Sequence, residues 1–594
     1  MVFHKEGRAR LKSKLNRRRT KAVDLSQQAD KQVEKFLIRR FERLISVRRF
    51  VFLWTLLFIF LLSCIVAQIR ALSSYYQSLQ PVPGGLYSEG LIGTFTNASP
   101  IYATGTANLA LSRLVFSGLY KYDNNNQLVG DLATDWIVSP SQTSYTVHLK
   151  KGVTWHDGQP FNANDVVFTY KTIQKVAAQS PLYNSWKDIK ITSPDPYSVV
   201  FELRNPLSSF PYALTNGIVP EHILATAQPE QLRTVPFNTA PVGTGPFKWK
   251  YIETTGMSSQ DRQQRISLAA FNKYWQGHPN LDGFSLITFS NEKYLTQAFE
   301  KKQINAISGL ESLPEGLSED KSAEVHNTPL TSAVMAFFKN TNPLLNQKIR
   351  QALVSGVDRR GLGNLSPYPL KLVDEPLLRN QLGYSPGSAQ LPYNVEYANQ
   401  LLDQEGWTKD STGKRYKNSQ PLTFNLSSQD TQQYTKVAHF LQDEWTKLGI
   451  KVDVRYYTSD DIQSSIITNH DYDVLLYGIS IGVDPDVFAY WDSSQASLSS
   501  QGHLNLSEYK SNVADQSLEA ARTRADAGLR ALKYKTFITA WSQDAPALVL
   551  YQPNFLYVTR GPIFGFDRRA DNGSADRFYN VYNWMVRQKR QTTN

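Results

Sequence analysis

The sequence predicts an α/β body carried on a single transmembrane helix, and three observations predict it. One stretch of 20 residues, Phe50 to Ile69, holds no charge. Beyond residue 85, β-type runs and helical runs alternate along the chain. In the later half, a helix, a glycine and two strands succeed one another in the order that parallel pairing requires.

At ~1.5 Å per residue the uncharged run reaches ~30 Å, the thickness of a bilayer's hydrocarbon core. Arg48, Arg49 and the cluster from Lys5 to Lys21 precede it, and Arg70 is the only near cation after it. The positive-inside rule then puts residues 1–49 in the cytoplasm and the body outside. Leu61-Leu62-Ser63-Cys64 resembles a lipobox, but the apolar run continues through Ile65-Val66-Ala67 and the basic lead is longer than a signal peptide's. Between Lys31 and Ile45, apolar residues at helical spacing fit either a helix on the inner leaflet or a solvated juxtamembrane helix.

The net charge of +12 suggests nucleic acid until it is located. Residues 1–49 hold 16 Lys and Arg against 5 Asp and Glu; the remainder holds 48 against 47. The body is almost neutral, so nucleic acid is not an expected partner. The single cysteine, Cys64, allows no intrachain disulfide. At 594 residues the chain exceeds one hydrophobic core and divides into lobes.

Ser73 to Gly85, rich in Ser, Gln, Pro and Gly, reads as a tether, and residues 70–84 are assigned to it. Tyr145 to Leu149 and Ser198 to Leu203 alternate as strands. Asn164 to Thr172 reads as a helix with Asn164 as N-cap and Asp165 in its first turn. Thr435 to Leu448 is an amphipathic helix ending at Gly449, followed by strands at Ile450–Val454 and Tyr472–Tyr477; this order predicts a mostly parallel sheet.

The run from Gly130 to Trp136, with Tyr145 to Val166 (YTVHLKKGVTWHDGQPFNANDV), resembles the signature of the family 5 extracellular solute-binding proteins. These are the dipeptide-, oligopeptide- and nickel-binding components of ABC importers. Val242 to Phe247, Tyr274-Trp275, Ile349 to Leu353, Val357 to Arg359, Asp484-Pro485-Asp486 and Ala545 to Leu548 follow in the family's order. The resemblance implies a periplasmic-binding-protein-like fold of type II, with three lobes and hinge closure. Lobe I would combine 82–110, 240–330 and 555–594; lobe II would be 111–239 and lobe III 331–554. It implies a peptide or peptide-like solute as ligand, an ABC permease as partner, no cofactor and no metal.

By the same resemblance, the ligand would lie as an added strand between Gly93-Thr94-Phe95-Thr96 and Tyr477-Gly478-Ile479-Ser480-Ile481-Gly482. Phe95 and Trp491 would either wall side-chain pockets or belong to the core. Peptide-binding members carry an Asp four residues before the Pro of the Asp-Pro motif, where it meets the peptide's α-amine. Here that position is Ile481. Since an unpaired buried ammonium is costly, the ligand is an internal segment, lacks a free amine, or meets another acid such as Asp484 or Asp486.

Gly478 to Gly482 also matches the G-x-S-x-G nucleophile elbow, but loop-forming Val483-Asp484-Pro485 stands where the elbow needs a helix, and His503 is the only later histidine. His156-Asp157 fits a hairpin turn with Gly158 better than a metal or acid–base pair. No catalytic residue is expected. Besides import, the chain fits a tethered sensor or adhesion module, or a carrier of an oligosaccharide or nickel chelate.

Overall fold

The computed structural model describes residues 48–592 apart from 259–260, 311, 319, 367, 369, 380, 385–389, 499–503 and 568–570, together with scattered positions between 20 and 32. The cations from Lys5 to Lys21, most of the stretch from Lys31 to Ile45, and His503 lie outside the described residues. The chain forms two compact units, one of Met1–Gln80 with Gln588–Asn594 and one of Pro81–Arg587.

In the first unit, helix Arg48–Tyr76 contains the apolar window Phe50–Ala71, exposed throughout. Among the described residues it is the one helix long and apolar enough to cross a membrane. Most of the stretch read as a tether is regular instead, and only Pro83 to Gly85 lie outside a helix or strand. The helix runs on to Tyr76, and Gln77–Val82 pairs as a strand with Arg587–Thr592. No glycine or proline lies between Arg70 and Gln80, so nothing there interrupts a helix or strand.

The larger unit is built on three principal sheets. The first has seven strands, in the order Ala323–Pro329, Asn554–Arg560, Ala306–Leu310, Leu86–Ile92, Gly283–Phe289, Gln263–Ala270, Phe247–Thr255. Leu86–Ile92 is parallel to both its neighbours; the other pairings are antiparallel. Helix Glu292–Glu300 makes the crossover that parallel pairing needs, capped by the Asn291 side chain accepting from the Tyr294 N–H at 3.1 Å.

The second sheet has six strands, in the order Lys371–Leu372, Ala547–Gln552, Ser332–Phe338, Val474–Ser480, Thr423–Gln429, Lys451–Tyr457. It is mixed, not mostly parallel. Its parallel pairings are the two that Thr423–Gln429 makes, with Lys451–Tyr457 and Val474–Ser480, while Ser332–Phe338 runs antiparallel to both strands beside it. Ser332–Phe338 (SAVMAFF) arrives straight from the first sheet without a crossover helix. Val334, Ala336 and Phe338 enter the core on one face, Ala333, Met335 and Phe337 that on the other. Burial on both faces removes the alternation by which a strand is recognised.

Helix Gln432–Lys447 covers this sheet and ends near Gly449, at φ +88°, where a Cβ would come within 2.4 Å of the Gly413 carbonyl. The third sheet is antiparallel, in the order Ala133–Val138, Ser144–Leu149, Ser198–Glu202, Lys190–Asp195. Its helix Ala163–Ile173 is capped by Asn162, not Asn164. Asn162 Oδ1 accepts from the Asn164 N–H at 2.8 Å, and Asp165 accepts from the Asn162 N–H at 3.0 Å, a capping box that fixes the boundary.

The chain passes between the two large sheets at Pro329–Ser332 and again at Gln552–Asn554. The crossings are bonded side by side. The Leu330 N–H donates to the Pro553 carbonyl at 2.9 Å, and Gln552 Nε2 to the Leu330 carbonyl at 2.6 Å.

Candidate functional site

Beside these crossings lies a cavity of about 180 Å³. Val334 and Tyr551 line it from the second sheet, Asn554 and Leu556 from the first, and Pro553 from the crossing itself. Gln433 and Tyr434 close it from the first turn of helix Gln432–Lys447, and Ser366, Tyr368 and Leu370 from a loop.

One side of this cavity meets an incompletely paired strand. Val474–Ser480 pairs along its whole length with Ser332–Phe338, from Ser480 opposite Ser332 to Val474 opposite Phe338. On its other side, pairing with Thr423–Gln429 stops at Leu476 opposite Ser428. Among the described residues, Tyr477 to Ser480 therefore have a strand neighbour on one edge only. Gly478 sits within this stretch. A Cβ there would stand 2.8 Å from the Tyr434 hydroxyl oxygen and 3.7 Å from Val334 Cγ2, both of the cavity wall. The absent side chain lets the Tyr434 hydroxyl approach the backbone closely at that point.

The neighbouring residues are held in place from elsewhere. The Tyr477 hydroxyl accepts from Gln463 Nε2 at 3.1 Å, and the Ser480 carbonyl accepts from the Tyr490 hydroxyl at 2.7 Å. Ile479 and Ile481 are buried in the core beneath the sheet. The N–H groups of Ile481 and Gly482 both donate to the Thr331 carbonyl, at 2.9 and 3.0 Å, which ties the strand's end to the first crossing.

Gly93 to Thr96 follow strand Leu86–Ile92 in the first sheet. Gly93 has φ +131° and faces open space, while its N–H is bonded to the Phe289 carbonyl. Phe95 is buried against Trp249, and Gln264 satisfies its backbone on both sides, accepting from its N–H at 2.8 Å and donating to its carbonyl at 3.1 Å. The Thr96 N–H is bonded to Asn108 Oδ1. Gly93, Thr94 and Thr96 of this stretch are exposed, Gly93 and Thr96 with their N–H groups already bonded.

Asp484 and Asp486 already have cationic partners. Both oxygens of Asp484 accept from Arg530 Nη2 at 2.8 Å. Burial pushes the Asp484 carboxyl above its ordinary range, and Arg530 pulls it back. Asp486 accepts from Ser209 Oγ at 2.9 Å and pairs with Arg522 at 3.2 Å. Trp491 is fully buried in the core, stacked on Phe337 and edge-on to Trp541.

After Ser480 the chain is a loop until the single turn Phe488–Trp491, so the geometry of a nucleophile elbow is missing. His156 Nδ1 accepts from the Gly243 N–H at 3.1 Å and its Nε2–H donates to the Gly245 carbonyl at 3.0 Å. The Trp155–Gln159 turn is closed by the Gly158 N–H donating to the Trp155 carbonyl, with Gly158 at φ +92°. No group of three or more His, Cys, Asp or Glu able to hold a metal occurs among the described residues.

Sequence reasoning missed Tyr368, Tyr434, Tyr551 and the Pro553-Asn554 crossing. Tyr434 lies just before the periodic part of its helix, and Tyr551 is next to last in a fully buried strand, so neither carried a local signal.

The model of the bacterial extracellular solute-binding proteins, family 5 (middle), matches residues 127–500. The oligopeptide-binding protein AppA of Bacillus subtilis is 27% identical over 522 residues, covering 84% of this chain and 91% of that protein. The dipeptide-binding protein of Escherichia coli K12 is 23% identical, covering 78% and 89%. The crystal structure of NikZ from Campylobacter jejuni with Ni(L-His) superposes with a TM-score of 0.72 at 25% identity, covering 84% of this chain and 99% of that one. The fold is thus periplasmic-binding-protein-like and the relatives are substrate-binding components of transporters, not enzymes. This chain belongs to family 5 of the bacterial extracellular solute-binding proteins.

Proposed function

We propose that this protein is a membrane-anchored solute-binding protein that captures a peptide between its two large sheets and delivers it to an ABC-type importer. The observation that carries the reading is the half-paired stretch Tyr477 to Ser480 beside the cavity. A peptide's backbone N–H and C=O groups need partners when buried, and an added strand along this edge supplies them without reading side chains. Gly93 and Thr94 are the groups offered from the first sheet.

In this reading lobe I is 82–110, 240–330 and 555–594, lobe II 111–239 and lobe III 331–554. The strands of the seven-, four- and six-stranded sheets fall almost entirely within these three groups, which supports the assignment. Closure is a rotation about the paired crossings Pro329–Ser332 and Gln552–Asn554, short segments able to absorb dihedral change. Phe50–Ala71 is the anchor, and the basic residues before it favour a cytoplasmic N-terminus.

Native mass spectrometry of the full chain, purified gently from expressing cells in mild detergent, tests this. Bound masses that fragment into short peptides support it. A single non-peptide mass moves the ligand to a sugar or metal chelate, and a chain that binds no peptide from a diverse pool refutes peptide capture.

A further inference from the structure

The apolar helix does not run out into a loose linker. Its apolar window ends at Ala71, the helix itself at Tyr76, and strand Gln77–Val82 then pairs with Arg587–Thr592. At ~1.5 Å per residue, Leu72 to Tyr76 rise only ~8 Å. The direction of the second strand follows from the place of its first residue. A Cβ on Gly84 would stand 2.9 Å from Arg587 Nη1, and one on Gly85 3.1 Å from Arg587 Cδ, so Arg587 lies past the end of the first strand. The residues after Arg587 therefore run back along Gln77–Val82 towards the helix. Gln77 to Gln80 and Gln588 onward belong to the same compact unit as that helix.

This two-stranded ribbon carries charge of one sign. Arg587, Lys589 and Arg590 are all exposed. No acid occurs in the sequence from Ala71 to Ser88 or after Asp576, so neither strand supplies a counter-charge. Asp282 is near Arg587 but is engaged at the far end of the ribbon, where its Oδ2 accepts from the Gly85 N–H at 2.7 Å. Leu79, in the first strand, is 58% exposed. Two strands alone are marginal in water and gain from a surface to lie on.

Resting on the membrane anchor proposed above, we propose that this ribbon is a lipid-binding surface, whose Lys589 and Arg590 hold the anionic headgroups of phospholipids in the leaflet on the body's side. Both cations sit on the strand that returns towards the membrane helix, in that helix's own compact unit. Attraction to headgroup phosphates is strongest within a Debye length of the surface, ~8 Å at physiological salt, a distance comparable to the rise from Ala71 to Tyr76. An exposed leucine among cations suits the same interface, with the apolar group at the acyl boundary and the charges on the phosphates.

The test places the full chain in lipid nanodiscs, with a donor fluorophore on residue 591 of the variant C64S/Q591C and acceptors on a trace of neutral headgroups. Discs of phosphatidylcholine alone give the baseline of energy transfer. With roughly a third of the lipid as phosphatidylglycerol, transfer should rise about twofold. It should return to the baseline in 1 M NaCl, where the Debye length is ~3 Å. K589E/R590E in the same background should reverse the sign and fall below its own baseline in the anionic discs, a response that loss of folding does not produce. Equal transfer in neutral and anionic discs would overturn the proposal, as would a rise that K589E/R590E keeps. A chain that does not enter the discs would overturn the anchor itself, and the lipid-binding surface with it.

Discussion

His156 stabilises the body only while its ring is neutral, and that dependence can be measured. Its Nδ1 accepts from the Gly243 N–H and its Nε2–H donates to the Gly245 carbonyl, a pair of bonds that only the neutral imidazole makes. Burial dominates its titration and holds the pKa down to about 4; the Gly245 bond opposes this in part. In the unfolded chain the ring titrates near 6.5. Between these values the unfolded state carries more bound protons than the folded one. The contribution is therefore fully present above pH 6.5 and is lost as pH falls towards 4. The gap of about 2.5 units is worth about 3.5 kcal/mol, at about 1.4 kcal/mol per unit, of which about 3 kcal/mol is lost by pH 4. H156Q keeps one acceptor and one donor on its amide but cannot be protonated. Urea unfolding of both proteins at steps from pH 7 to pH 4 cancels the groups they share. The stability of the native protein relative to H156Q should fall by about 3 kcal/mol across that range. Parallel curves would refute the account, because they would mean that the ring is either solvated or already charged.

Three further results are expected. E89Q should cost about 3–5 kcal/mol in urea unfolding, because it leaves the fully buried Arg577 guanidinium without its carboxylate, whereas E89M/R577L should recover much of that loss. G478V should weaken binding of co-purified peptide about tenfold or more by calorimetry, since its side chain collides with the Tyr434 hydroxyl on the face of the sheet and displaces the strand or that ring, with thermal unfolding shifted by only a few degrees. Protease added outside intact spheroplasts should degrade the body and spare an epitope placed before Arg48; the reverse pattern would contradict the assigned orientation.

Local chemistry made part of the fold legible in the sequence. The helix before Gly449 and the strand after it were readable because the 3.6-residue period, the left-handed glycine and the β-branched run are adjacent. The turn at His156 to Gly158 was readable for the same reason. Ser332–Phe338 was not, since burial on both faces erases its pattern. The candidate site was less legible still. That Gly478 lies on an open edge depends on where Thr423–Gln429 stops pairing, a property of register and not of composition. In the sequence Asp484 reads as available for an amine, because its guanidinium partner is 46 residues away.

The order of strands in the seven-stranded sheet also bears on how the protein is made. Asn554–Arg560 lies between Ala306–Leu310 and Ala323–Pro329, yet it is synthesised more than 220 residues after either. Until it emerges from the ribosome, each of those two strands lacks its shared partner and shows an open ladder of N–H and C=O groups. The four-stranded sheet, by contrast, is complete once residue 202 has been made. Synthesis therefore passes through a long interval in which one part of the body is folded and the largest sheet is divided, the state in which strand edges find wrong partners. Slowing translation late in the message should lengthen that interval and raise aggregation, while the same delay placed before residue 300 should matter far less.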